Sequence, residues 1–306
     1  MGNQRTVYGD TLVELGKKYS DIVACEADLG KSTMSCLFQD EFPNRYFEMG
    51  IGEQNMASFA AGLSFAGKVP FIHSFSAFAV GRAYEQIRVS ICLGNNNVKI
   101  VGSSYGLSDF GDGATHQSFE DISLLRSLPN MTILTPADAY ETKKMTEAAY
   151  SMEGPVYLRI NRNDMPDIYE GNEDLEVGEP VVLREGDDLL IFAHGIMAHK
   201  ALEAAESLSK DTISAKVVNI NTIKPLNRQS LVNLSKGMKA VIVAEEHTLY
   251  NGLGSEVEHS LRNEDVPIEI VAIQDRFGQS AENYDVLLKE YGLTTEAIVS
   301  AAKKMI

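Results

Sequence analysis

Continuous apolar runs and amphipathic stretches take turns along this chain. Residues 6–19, "TVYGDTLVELGKKY", read as an amphipathic helix, and 21–29, "DIVACEADL", as a strand rich in β-branched residues. The alternation continues with helices predicted over 56–67, 83–94, 119–129 and 138–152. Strands fall between them at 68–75, 97–104, 131–137 and 154–161. Strands that are apolar throughout, separated by helices, imply a parallel sheet covered on both faces. After residue 187 a second series begins, with strands predicted at 188–195, 215–220, 240–247 and 268–273 and helices at 201–210, 228–236 and 252–263. The expected architecture is therefore two doubly wound α/β domains, 1–165 and a smaller one at 188–306. An acidic linker rich in turn residues spans 166–187.

The 306 residues suffice for two such domains. A net charge of -16 argues against nucleic acid and acidic membrane surfaces as partners, because the overall field repels phosphate polyanions. Any phosphate must then be held by a local cluster of donors. The three cysteines, Cys25, Cys36 and Cys92, form no CxxC pair and read as reduced thiols of a cytoplasmic protein. No apolar run reaches the ~18 residues of a membrane span. "MGNQRT" fits a short, common myristoylation pattern that carries little weight.

In open α/β sheets ligands bind beyond the carboxyl ends of the strands. Glu53, His73, Ser104 and Asp112 all fall at or soon after such ends, so they are expected on one rim. Glu53 opens a helix whose apolar residues cover most faces (Met56, Phe59, Ala60, Leu63) and which must be buried. A carboxylate there either complements the helix dipole or serves a ligand, and in a buried setting it needs a partner or a proton. Phe75 and Phe78, three apart, share a face: packing is the default, and a flat aromatic ligand also suits them. The long loop 103–121, "SSYGLSDFGDGATHQSFED", carries Asp112 and His116 and ends with Ser118 and Asp121 spaced as a capping box. Arg159 and Arg162 alternate at a strand end, either solvated or forming a phosphate fork. Gly62…Gly67-Lys68 imitates a phosphate loop but lacks the hydroxyl at Val69, and Gly67 reads as a helix C-terminal glycine. No metal-ligating constellation is present; His194 and His199 do not share a helix face.

Taken together, "FEMGIGEQNMASFAAGL", "GDGATHQSFEDISLLRSLPNMTILTPAD" and "GPVYLRINRNDMP" resemble the pyrimidine-binding domain of transketolase. "AEEHTLYNGLGSEV" is similar to that family's C-terminal domain. The resemblance implies thiamine diphosphate with Mg2+ as cofactors. It also implies a second polypeptide, an N-terminal subunit that brings the magnesium and diphosphate ligands, since Gly111-Asp112-Gly113 is not followed by the family's paired asparagines. The implied assembly is a heterotetramer. The implied reaction moves a two-carbon ketol unit between sugar phosphates, as in pentose phosphate metabolism. On the same resemblance, Glu53 hydrogen-bonds the pyrimidine nitrogen N1′ and, by keeping a proton in a dry pocket, favours the tautomer that activates thiazolium C2. Phe75 and Phe78 match the stacking aromatics, with Gly81 where a third is common. Asp28 matches an aspartate near the thiazolium. Arg5, Ser32 and Arg162 match the substrate phosphate clamp, and Asp112 and His116 match contacts to sugar hydroxyls. Ser104 stands where many transketolases carry a substrate-contacting histidine. Alternatives are a deoxyxylulose phosphate synthase-like subunit and a non-catalytic assembly subunit.

Overall fold

Apolar strands of the parallel kind can be satisfied only inside a sheet, and the computed structural model, which describes residues 2–171, 173 and 175–306, places them so. Fourteen strands occur among the described residues. In chain order they are β1 (Gly2–Asn3), β2 (Ile22–Glu26), β3 (Tyr46–Glu48), β4 (Val69–Phe75), β5 (Lys99–Ser103), β6 (Thr132–Leu134) and β7 (Val156–Ile160). Then come β8 (Asp164–Met165), β9 (Val181–Arg184), β10 (Leu189–Ala193), β11 (Ala215–Asn219), β12 (Thr222–Lys224), β13 (Ala240–Thr248) and β14 (Ile268–Ile273). The first sheet has the order β12-β6-β7-β5-β4-β2-β3 and is parallel except for β12. The second has the order β14-β13-β10-β11-β9 and is parallel except for β9.

Two of these strands blur the division into halves. β9 lies in the segment read as linker, where its Val181 and Val182 pair with β11. β12 comes from the second half of the chain yet extends the first sheet through Thr222 and Leu134. The cores join as well. One apolar cluster runs from Met56 and Ile72 to Phe192 and Val241, so the two sheets are packed as one body.

Local sequence explains the elements near the strand ends. Gly50 takes φ +64°, a left-handed turn that favours glycine, and swings the chain from β3 into helix Glu53–Phe65. That helix ends at Ala66, with Gly67 at φ +77° beyond it. The stretch after β4 departs from the α-helix expected over 83–94. It forms π-helical turns at Ala77–Arg82 and Ile87–Cys92 around a short α turn, Tyr84–Gln86. Such widened turns are rare and concentrate where side chains must be aimed at a site. The expected capping box is also absent. Ser118 bridges to Gly106, and the carboxylate of Asp121 is taken by Tyr157 and Arg159 instead of by its own helix.

Candidate active site

Glu53 is the first residue of its helix and is 1 % exposed. Its carboxylate is paired: Arg82 Nη1 donates to both oxygens at 2.8 Å. The guanidinium carbon lies 4.6 Å from the centre of the Phe78 ring. Phe78 is stacked with Phe75 at 6.0 Å between centroids and 24° between planes. His116 stands edge-on to both rings, at 5.1 Å from Phe78 and 6.1 Å from Phe75. Its Nδ1 is 2.9 Å from the Thr115 hydroxyl. Arg162 completes the group, with its guanidinium 5.9 Å from the Phe75 ring and Nη1 donating to Asp109 Oδ2 at 2.6 Å. Burial pushes the Asp109 carboxyl up from its ordinary value, against the pull of Arg162. Asp112, exposed, lies close enough to add to that upward push. A buried carboxylate, two stacked rings, a histidine and an arginine thus converge from four separate stretches of chain.

A second group adjoins β2. Asp28 has φ 62° and sits with Ser32, Cys36 and Tyr46 around a cleft of ≈ 450 Å³. Glu48 ties this group to the first, because its Oε1 accepts from the N–H of Asp28 and of Gly50, each at 2.9 Å. Below the cleft, Glu26 accepts from the Thr33 and Ser35 hydroxyls, and burial pushes it up to about 7. Arg5 donates to the Ser32 carbonyl at 3.0 Å, while its Nε is buried without a partner. Burial and the repulsion of Arg162 lower its pKa. Two guanidinium groups that repel each other in a strongly acidic chain are a local exception to the overall field, and they suit an anion.

Three expectations need correction. His73 is not on the rim: it is fully buried between the Tyr8 hydroxyl, at 2.6 Å, and the Cys25 carbonyl, and burial pushes it down to about 4. Ser104 is also fully buried, at φ 56°, with no protein partner for its hydroxyl. Arg159 is neither solvated nor a phosphate fork. It is fully buried against Asp121, the Glu246 carbonyl and the Tyr105 ring. Arg82 and Glu48 were missed. Arg82 had a signal, since it lies four residues after Phe78, about one helical turn on. Glu48 had none, because its partners are backbone N–H groups of a turn. No group of three or more metal-ligating side chains occurs among the described residues, and no helix among them is long and apolar enough to cross a membrane.

Comparison with known proteins gives consistent matches. Residues 3–167 match the model of the transketolase pyrimidine-binding domain, and 178–298 that of the transketolase C-terminal domain. A putative transketolase C-terminal section from Methanocaldococcus jannaschii is 42 % identical over 298 residues, covering 96 % of this chain and 93 % of its own. A 6-deoxy-6-sulfo-D-fructose transketolase subunit from Clostridium sp. (strain MSTE9) is 37 % identical over 98 % of this chain and 94 % of its own. Among solved structures, one described as a split gene transketolase, an inactive β4 tetramer, superposes with a TM-score of 0.90 at 43 % identity, covering 99 % of this chain and 98 % of that one.

Proposed function

Because the chain belongs to the transketolase family, spanning its pyrimidine-binding and C-terminal domains, we propose that it is the C-terminal subunit of a split transketolase. Joined to an N-terminal subunit, in a heterotetramer, it transfers a two-carbon ketol unit from a ketose phosphate to an aldose phosphate. The family depends on thiamine diphosphate. The observation that carries the reading is the buried Glu53 beside the stacked Phe75–Phe78 pair. The fit of the aminopyrimidine is supported by what the slot already accommodates: a planar, delocalised N–H cation that faces the carboxylate and lies over an aromatic ring.

Bound thiamine diphosphate supplies the carbon nucleophile and electron sink for the carbon–carbon chemistry. The residues of this chain do the rest. Glu53, itself 1 % exposed, holds a proton at the pyrimidine ring nitrogen. Phe75 and Phe78 offer a flat apolar face that orients the ring. His116, edge-on to that face, stands where it can exchange a proton with a substrate hydroxyl, and Asp112 shares its loop. Asp28, across the turn that Glu48 fixes, would face the thiazolium when the coenzyme is bound. Arg5, Ser32 and Arg162 clamp the terminal anion of the sugar. A phosphate fits that clamp; so does a sulfonate, the group carried by the sugar named for the clostridial relative. Mg2+ and the diphosphate fall to the partner subunit.

The test is reconstitution. The chain combined with an N-terminal transketolase subunit, thiamine diphosphate and magnesium should transfer ketol units between sugar phosphates, and the chain alone should not. Activity without a partner would overturn the split-subunit reading. Inactivity of an assembled complex towards every sugar phosphate or sulfonate pair tried would overturn the enzymatic one.

A further inference from the structure

We propose that Arg82 is a built-in occupant of the aminopyrimidine slot, exchanged for the coenzyme ring when the site is loaded. The inference rests on the coenzyme reading above and deepens it. Arg82 Nη1 spans both Glu53 oxygens at 2.8 Å, and the guanidinium lies 4.6 Å over Phe78. A flat base that bonds Glu53 and stacks on the same aromatic pair needs those two surfaces. One carboxylate and one ring face cannot serve both occupants, so the two compete. A guanidinium is a fitting substitute, because it is planar, delocalised and stacks on aromatic faces while donating N–H bonds to a carboxylate.

The arrangement solves a problem for the unloaded chain. Glu53 is 1 % exposed, and a buried carboxylate with no partner is costly. Arg82 supplies the counterion. Its own side chain is 45 % exposed, so it has a route outward on which its charge is rehydrated when it leaves. Room for that movement exists beside it, since nothing lies within 4 Å of where a side chain at Gly81 would begin. The widened turns of Ala77–Arg82 carry both Phe78 and Arg82. Loading the coenzyme then requires breaking the Arg82–Glu53 pair first, and the apparent affinity is reduced by the fraction of time that the pair is closed.

The experiment uses the complex assembled with its partner subunit. Thiamine diphosphate in the presence of magnesium is titrated calorimetrically into the wild type, Arg82→Gln and Arg82→Lys, with thermal midpoints recorded to show that each is folded. Exchange predicts that Arg82→Gln binds the coenzyme about 10-fold more tightly, with Arg82→Lys between the two, because a lysine pairs with Glu53 but does not stack as a plane. It predicts also that the gain vanishes in the Glu53→Gln background, where there is no carboxylate to hold the guanidinium. Equal or weaker binding by Arg82→Gln overturns the exchange while leaving the coenzyme reading intact. So does a gain that persists in the Glu53→Gln background. If neither wild type nor variant binds the coenzyme, both readings fall.

Discussion

Arg159 donates from Nε to Asp121 Oδ2 at 2.7 Å, with neither side chain exposed. The pair ties the two halves of the molecule together, since the same guanidinium donates from Nη2 to the carbonyl of Glu246 on β13. Burial pushes the Asp121 carboxyl up, yet Arg159, His247 and the hydrogen bonds pull it below the usual range, so the ionised form prevails. Asp121→Asn keeps the shape and removes the charge, leaving a guanidinium buried without its counterion. Breaking one side of such a pair costs about 3–5 kcal/mol. The expected result is a fall of order 10 °C in the thermal midpoint. Circular dichroism melting checks it.

Glu246 gives a pH dependence with a definite sign. It accepts from the Leu107 N–H at 2.7 Å and the Tyr284 hydroxyl at 2.6 Å, and so links the first-domain loop to the C-terminal region. Burial pushes it up to about 7 from an ordinary 4.5. The folded chain therefore holds a proton there that the unfolded chain has released between about 4.5 and 7. The stability this contributes is complete below 4.5 and is lost as pH rises through 7. His73 and His247, pushed down to about 4 by burial, act in the opposite direction, so the wild-type curve alone does not isolate the carboxyl. The difference between wild type and Glu246→Gln does. The wild-type midpoint, relative to the variant's, should decline as pH is raised from about 4.5 to about 7. A difference that stays flat across that range would contradict the assignment.

Much of the architecture was legible because parallel strands buried on both faces advertise themselves as unbroken apolar runs. β2, β4, β5, β10 and β13 were all anticipated on that basis. The strands that escaped, β1, β3, β8, β9 and β12, are pieces of two to four residues, too short for any period to register. Helices Tyr284–Glu290 and Thr295–Met305 were also unassigned.

The site was legible where residue type and position agree. Local spacing located Glu53 at the head of a buried helix and Phe75 with Phe78 on one face; the roles proposed for them rest on the family resemblance. His73 and Ser104 misled because a strand end guarantees a place near the rim but does not say which way a side chain turns. Both turn inward. Asp121 misled because a partner distant in sequence, Arg159, outcompeted the local backbone for its carboxylate. Arg82 was invisible as a counterion until the fold brought it, across 29 residues, onto Glu53.

The account turns on Glu53 acting as a proton-holding group against the coenzyme, and the most direct measurement is turnover of the assembled complex carrying Glu53→Gln. The amide preserves shape and leaves Arg82 free to face solvent. The account predicts normal assembly, a thermal midpoint close to that of the wild type, and a turnover lower by ~10²-fold or more. Unchanged turnover accompanied by a lowered midpoint would contradict it, and would make Glu53 a helix-terminus residue and nothing else.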